Sequence, residues 1–282
     1  MSVYSLKFYN PDMRTVLVTD TTTNETLVPG RNKVKVYFDD VIVVNIPKQF
    51  NPMQCSRYLK TSLRQLIDGD FLYIDIDTII CESLCGIDGI DVDLGAVPAA
   101  HDINSSIING GLMLSRNSKI SCSLYERWHK LWLNDVQNGI STDQHSLEIA
   151  NVELGNVIAK IPDIWNCQLK YGGHKFLDKA KIVHYFASVN SSIKSVFEQN
   201  SFLEIIKTND EISYEQNFVI KNARLYLSYE FLPMDYKKGF CLVQLFCYYP
   251  SMFEWLNCLA HIALFVGERS KWLKCKLAKK RK

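Results

Sequence analysis

Two aspartates separated by one residue close an apolar run, Gly69-Asp70-Phe71-Leu72-Tyr73-Ile74-Asp75-Ile76-Asp77. In an extended backbone, residues i and i+2 project to the same side, so this spacing predicts that Asp75 and Asp77 face one point. Carboxylates that close repel unless a cation lies between them. Oxygen ligands on a divalent ion satisfy that requirement, and such an ion usually also holds substrate phosphates. In an open α/β sheet, the carboxyl end of a central strand is where ligands bind. The plain alternative is a strand end whose aspartates only cap the next segment of chain.

The elements needed to position this pair are legible as short apolar runs. Thr15–Thr19, Val41–Asn45, Phe71–Ile74, Ala96–Val97, Leu112–Leu114, Val157–Ile161 and Ile182–Phe186 read as strands. Cys55, Tyr58, Leu59, Ser62, Leu63, Leu66 and Ile67 recur at three and four, as do Leu124, Trp128, Leu131 and Trp132, and predict amphipathic helices. Alternation of strand and helix through about residue 188 predicts an α/β fold, with a mixed, mostly parallel sheet flanked by helices. Residues 189–282 are aromatic and helical in period, and are expected to form a helical C-terminal extension.

Two families use an Asp-x-Asp strand end. Haloacid-dehalogenase-like phosphatases require Thr four residues after the first Asp, where this chain has Ile79; Thr78 comes one residue early. The chain resembles more closely the nucleotide-sugar glycosyltransferases of the GT-A fold, family eight, which include glycogenin and lipooligosaccharide galactosyltransferases. Ser56-Arg57-Tyr58-Leu59-Lys60 followed by Gly69–Asp77 resembles the helix–strand unit leading to that family's Asp-x-Asp. Asn109-Gly110-Gly111-Leu112-Met113-Leu114 is similar to its Asn-x-Gly-Val-Met-Leu strand, Asp143-Gln144 to its Asp-Gln pair opening a helix, and Lys181-Ile182-Val183-His184-Tyr185-Phe186 to its strand bearing a metal-binding His. The four motifs occur in the family's order over roughly residues 4–188.

The resemblance implies a GT-A-like catalytic domain over residues 1–188. It implies a metal site of Asp75, Asp77 and His184, donor-binding residues Asp75, Ile76, Arg57, Lys60, Gly110 and Gly111, and catalytic residues Asn109, Asp143 and Gln144. Mn²⁺ suits two carboxylates and an imidazole, with Mg²⁺ the weaker alternative. The implied reaction moves a hexose from a UDP-sugar to a glycan or lipid-linked glycan acceptor, with retention at the anomeric carbon. Bland readings stand beside these. His184 lies in an apolar strand, Arg57 and Lys60 share one helix face, the glycines weaken a strand, and Asp143 follows Ser141-Thr142 where acids cap helices. Three features depart from the family. The chain starts near Ser5–Asp12, a stretch that a first strand and helix precede in the family, so either the base site is built differently or coding sequence precedes Met1. Asp102 stands nearest to an acid the family often carries after Gly95-Ala96-Val97. A Gly and a Lys that follow the metal His in the family are not matched by Ala187-Ser188-Val189-Asn190. A non-catalytic glycosyltransferase-like binding protein is therefore the alternative, with a metal phosphohydrolase behind it.

The 282 residues are 47% apolar, 12% aromatic and 22% charged, which excludes a disordered or low-complexity chain. Net charge is +2, but eight basic residues against one acid fall within Glu268–Lys282 and leave an acidic remainder. That distribution argues against a nucleic-acid partner for the whole domain. Trp255, Leu256, Leu259, Ile262, Leu264, Phe265, Trp272 and Leu273 beside the basic run have the composition of an anchor on an anionic membrane surface. Glu254, Asn257 and His261 interrupt the apolar stretch, so it is not read as a spanning helix. Asp88, Asp91 and Asp93 lack calcium-loop spacing and read as a polar surface loop. Nine cysteines without a second close pair, and an N-terminus without a leader pattern, predict a reduced chain in the cytoplasm, peripheral at the inner face of the membrane.

Overall fold

The computed structural model describes residues 2–27, 37–102, 107–140 and 142–185; the expected C-terminal extension and its basic run lie outside them. Helix α1 (Ser2–Tyr9) leads to strand β1 (Val16–Asp20), helix α2 (Thr21–Leu27) and strand β2 (Asp40–Val44). Strands β1 and β2 pair in parallel, Val16 opposite Asp40 through Asp20 opposite Val44. Asp20 ends its strand and accepts from Thr23 N at 2.9 Å, which turns the chain into α2. Helix α3 (Pro52–Thr61) starts at a capping box, in which Asn51 and Gln54 exchange side-chain to backbone bonds of 2.9 Å around Pro52. Such a cap stabilises a helix by about 1 kcal/mol.

Beyond α3 come α4 (Leu63–Leu66), β3 (Phe71–Ile74), β4 (Thr78–Ile80), β5 (Leu94–Ala96) and β6 (Leu112–Ser115). Helices α5 (Lys119–Gln137) and α6 (Asp143–Glu153) follow, then short strands β7 (Ala159–Lys160), β8 (Cys167–Gln168) and β9 (Ile182–His184). One sheet has the order β3-β6-β5-β7 and another β4-β9-β8. β6 runs antiparallel to both its neighbours, and β4 antiparallel to β9, whereas β5–β7 and β8–β9 are parallel. The fold is mixed α/β as expected, but parallel and antiparallel pairings are equally frequent among the described residues. An apolar run encodes burial and not strand direction, so alternation of elements overstates the parallel share.

β6 is buried on both faces, and its side chains divide with period two. Met113 joins one apolar cluster with Leu124, Tyr125 and Trp128 of α5 and Leu147 and Ala150 of α6. Leu112 and Leu114 join a second, with Ile80, Val97, Trp165 and Ile182. The predicted α5 stripe is real: Leu124, Trp128 and Trp132 are fully buried. Each such side chain stabilises the fold by about 1.5–3 kcal/mol. The same packing anchors the start of α6, because Trp128 Nε1 donates to Asp143 O at 3.0 Å.

Four elements escape the hydrophobic pattern, α1, α2, β4 and β8. α1 is tied to β4 through hydroxyls: Ile80 N donates to Ser5 Oγ at 2.8 Å, and Ser2 Oγ meets Thr78 Oγ1 at 2.8 Å. Among the described residues no helix is long and apolar enough to cross a membrane.

Candidate metal centre

Asp75 and Asp77 occupy the link between β3 and β4, strands of two different sheets. Asp75 N donates to Gly111 O at 2.9 Å, continuing the β3–β6 ladder, and Tyr185 N donates to Asp77 O at 3.1 Å, extending the β4–β9 pairing. The pair therefore straddles the seam between the sheets. Each carboxylate is anchored by its own sheet, so convergence comes from the seam and not from the alternation of one extended strand. β9 supplies the third side chain, with His184 opposite Thr78.

His184 Nε2 lies 3.2 Å from Asp77 Oδ1 and 3.8 Å from Asp75 Oδ2. One ligand atom from each of Asp75, Asp77 and His184 lies within 4.8 Å of the others, and no other such group occurs among the described residues. An octahedral ion with bonds of about 2.1 Å places its ligands roughly 3 to 4 Å apart. The three residues thus fit a divalent ion, and two carboxylates with an imidazole suit Mn²⁺. Burial works to raise the Asp77 carboxyl, but the hydrogen bond and charge of His184 outweigh it and hold Asp77 below its ordinary value. His184 is 3% exposed. Its ring occupies space that Gly111 leaves open, since a Cβ there would collide with Cε1 and come within 2.6 Å of Nδ1.

A second charged group borders the first. Lys60 Nζ sits 2.9 Å from Asp143 Oδ2 and 3.7 Å from Asp75 Oδ2, and Arg57 Nε sits 3.3 Å from Asp143 Oδ1. The expectation that Arg57 and Lys60 share a helix face holds, and both turn inward to one carboxylate. For Lys60, burial opposes the charged form, yet Asp75 and Asp143 prevail and the ammonium titrates above its ordinary value. For Asp143, burial is again outweighed, here by Lys60, and the carboxyl is lowered. The Lys60 ammonium also lies 5.3 Å from the centre of the Tyr73 ring, and the Tyr73 hydroxyl donates to Asp75 Oδ1. Burial, then the Asp75 charge, pushes the Tyr73 phenol well up.

Asn109, Gly110 and Gln144 meet at the end of β6. Asn109 Oδ1 accepts from Gly111 N and from Asn166 Nδ2, both at 2.9 Å. Gln144 Nε2 donates to Ile108 O, and Gln144 Oε1 accepts from Gly110 N at 3.4 Å. A Cβ on Gly110 would stand 3.4 Å from Lys60 Nζ, so this glycine borders the lysine. Ile76 turns its side chain to solvent, 87% exposed. Asp102 is exposed as well. The buried member of its turn is His101, whose Nδ1 lies 2.6 Å from Asp163 Oδ1 and whose Nε2 accepts from Gln168 N at 2.9 Å. Sequence reasoning missed Tyr73 and Asn166. Tyr73 was open to discovery, since it lies two residues before Asp75 on one strand face; Asn166, 57 residues from its partner, gave no local signal.

The mixed α/β fold carries its Asp-x-Asp pair in the link between two sheets. No protein-family model and no curated protein sequence matches the chain. Among solved structures it is similar to the glycosyltransferase GlyE of Streptococcus pneumoniae, at 17% identity, covering 75% of this chain and 63% of that one, with a TM-score of 0.44. It is similar to the galactosyltransferase LgtC solved with donor and acceptor sugar analogues, at 14% identity, 72% and 98% coverage and a TM-score of 0.44. Mouse xyloside xylosyltransferase 1 is a third, at 12% identity, 67% and 91% coverage and a TM-score of 0.45. The chain spans less than two thirds of the GlyE structure.

Proposed function

We propose that the protein is a metal-dependent glycosyltransferase that moves a hexose from a UDP-sugar to a glycan or lipid-linked glycan acceptor, with retention. The observation that carries this reading is the meeting of Asp75, Asp77 and His184, drawn from two sheets with His184 107 residues beyond Asp77, beside the partly covered Lys60, Arg57 and Asp143. A purely structural role gives no reason to gather these charges at one seam, whereas a diphosphate leaving group needs them.

Asp75, Asp77 and His184 would hold the ion. When bound, the ion supplies positive charge that stabilises the diphosphate as the sugar–oxygen bond breaks. His184 depresses the Asp77 carboxyl and so favours the ionised form that an ion would need. Lys60 and Arg57 add fixed positive charge toward the donor and keep Asp143 ionised. Gly111 lacks the side chain that would displace the His184 ring, and Gly110 lies beside Lys60, so the two glycines border the donor-binding side chains. Asn109 and Gln144 hold the glycine backbone through its amides and the Ile108 carbonyl. They present polar groups on a rigid frame for a sugar. The basic run at 269–282, outside the described residues, is proposed to hold the protein to an anionic membrane surface on the cytoplasmic side.

Titrating UDP into the protein by calorimetry, with and without Mn²⁺ and beside Asp77→Ala, tests this reading. Metal-dependent binding that disappears in Asp77→Ala supports it. Absence of UDP binding by the intact protein refutes a working donor site and favours the non-catalytic alternative.

A further inference from the structure

We propose that Lys60 is a positioning residue that couples metal and diphosphate binding, by acting as the resident counter-ion of Asp75 until both ligands are present. The inference rests on the metal site of the functional reading and adds a device that the site's ligands do not themselves require. Asp75 faces two cation positions at once. One is the junction with Asp77 and His184; the other is the Lys60 ammonium, 3.7 Å from the same Oδ2 that lies 3.8 Å from His184 Nε2. Lys60 is not free to swing away: its side chain is 11% exposed, Asp143 holds it at 2.9 Å, and Arg57 holds Asp143 from the other side. Gly110 lies beside the ammonium, 3.4 Å from where a Cβ would stand.

The charge count gives the consequence. With His184 neutral, the form in which an imidazole holds an ion, three carboxylates (Asp75, Asp77, Asp143) face two basic side chains (Lys60, Arg57), a small anionic excess. A divalent ion entering alone turns that excess cationic and meets repulsion from Lys60 at low dielectric. A diphosphate removes the repulsion, because its oxygens answer the ion and the ammonium together. Each ligand then strengthens the other, and by linkage the two factors are equal. Ion without nucleotide is held weakly.

Mn²⁺ affinity is measured by calorimetry with and without UDP, in the intact protein, Lys60→Met and Lys60→Arg. The expected result is that Lys60→Met binds Mn²⁺ about tenfold more tightly without UDP and gains correspondingly less when UDP is added, while Lys60→Arg behaves as the intact protein. A residue that merely supports the fold would not move the coupling factor in this direction. Mn²⁺ affinity that is unchanged or weaker in Lys60→Met, beside an intact protein that binds Mn²⁺, overturns the proposal and leaves the glycosyl-transfer reading standing. An intact protein that binds no Mn²⁺ either with or without UDP overturns both. If melting shows Lys60→Met unfolded, Lys60→Gln, which keeps a hydrogen-bonding head toward Asp143, carries the same expectation.

Discussion

Two regions among the described residues gather aspartates around a basic side chain, and one of them brings the carboxylates to a common point. At the seam, Asp75, Asp77 and Asp143 are partly to mostly covered, and their oxygens converge on His184, Lys60 and Arg57. In the loop around residues 86–93, Asp88, Asp91 and Asp93 surround Arg116, but Asp88 is 89% exposed and lies 3.8 Å from the guanidinium. Arg116 directs its donors to backbone, the carbonyls of Asp88 at 2.7 Å and Ile90 at 3.2 Å, and to Asp70 at 3.1 Å. The loop is a surface turn pinned by an arginine. Composition is nearly the same in the two places; convergence and burial differ, and these make charges cooperate.

The contrast is tested most sharply by deleting one side chain in each region. His184→Ala should weaken Mn²⁺ affinity by at least about a hundredfold, since loss of mere outer partners of metal ligands already costs about 10–100-fold. Asp91→Ala should leave it unchanged. Equal effects in the two variants would dissolve the distinction.

A buried charge network should also show in stability against pH. Asp143→Asn should destabilise the protein by roughly 2–3 kcal/mol at neutral pH, the range for a charged hydrogen bond lost from a covered site. The Asp143 carboxyl is depressed in the folded state, so its contribution is complete above the ordinary 3.8 and is lost as pH falls through the lower folded value. Urea midpoints of the two proteins should therefore converge below pH 3.8. A gap that stays constant through that range contradicts the ionised network.

Smaller is the effect of added bulk. Gly111→Ala should displace the His184 ring, cost about 1–2 kcal/mol of stability and lower Mn²⁺ affinity about tenfold. Its counterpart Gly89→Ala, whose new Cβ meets only Gly86 O at 3.5 Å, should be nearly silent in both measurements. Least of all, Arg116→Ala should cost no more than about 1 kcal/mol, with Mn²⁺ affinity intact. Thermal melts and metal titrations on these variants and the intact protein would place them in this order.

Much of the frame was legible. Phe71–Ile74 is a strand with the predicted bounds, the Val16–Asp20 and Asp40–Val44 strands lie within a residue of theirs, and the helix opening at Asp143 begins where Ser141-Thr142 suggested. These segments carry strong local signals, an unbroken apolar run or a cap before a periodic stretch. α1 and β4 carried weak ones. The helix buries Ser5 to serve the Ile80 amide, and a polar residue buried for a hydrogen bond reads in sequence as an exposed one. β8 is only Cys167–Gln168, too short for any period to register.

Local residue order was enough to determine that Asp75 follows a strand, that Arg57 and Lys60 share a helical face, and that α5 buries its tryptophans, because strand and helix periods fix which side chains lie together within an element. What it could not determine is which elements meet. The seam between β3 and β4, the antiparallel approach of β9 that carries His184 across to Thr78, and the turn of Lys60 toward both Asp75 and Asp143 depend on packing between segments far apart in the chain. Contacts of that range arise from burying two apolar clusters on opposite faces of β6. No short window of sequence contains that requirement: the ordered resemblance implied the set of Asp75, Asp77 and His184, and the tertiary structure alone decided that Lys60 and Arg57 meet Asp143 beside it.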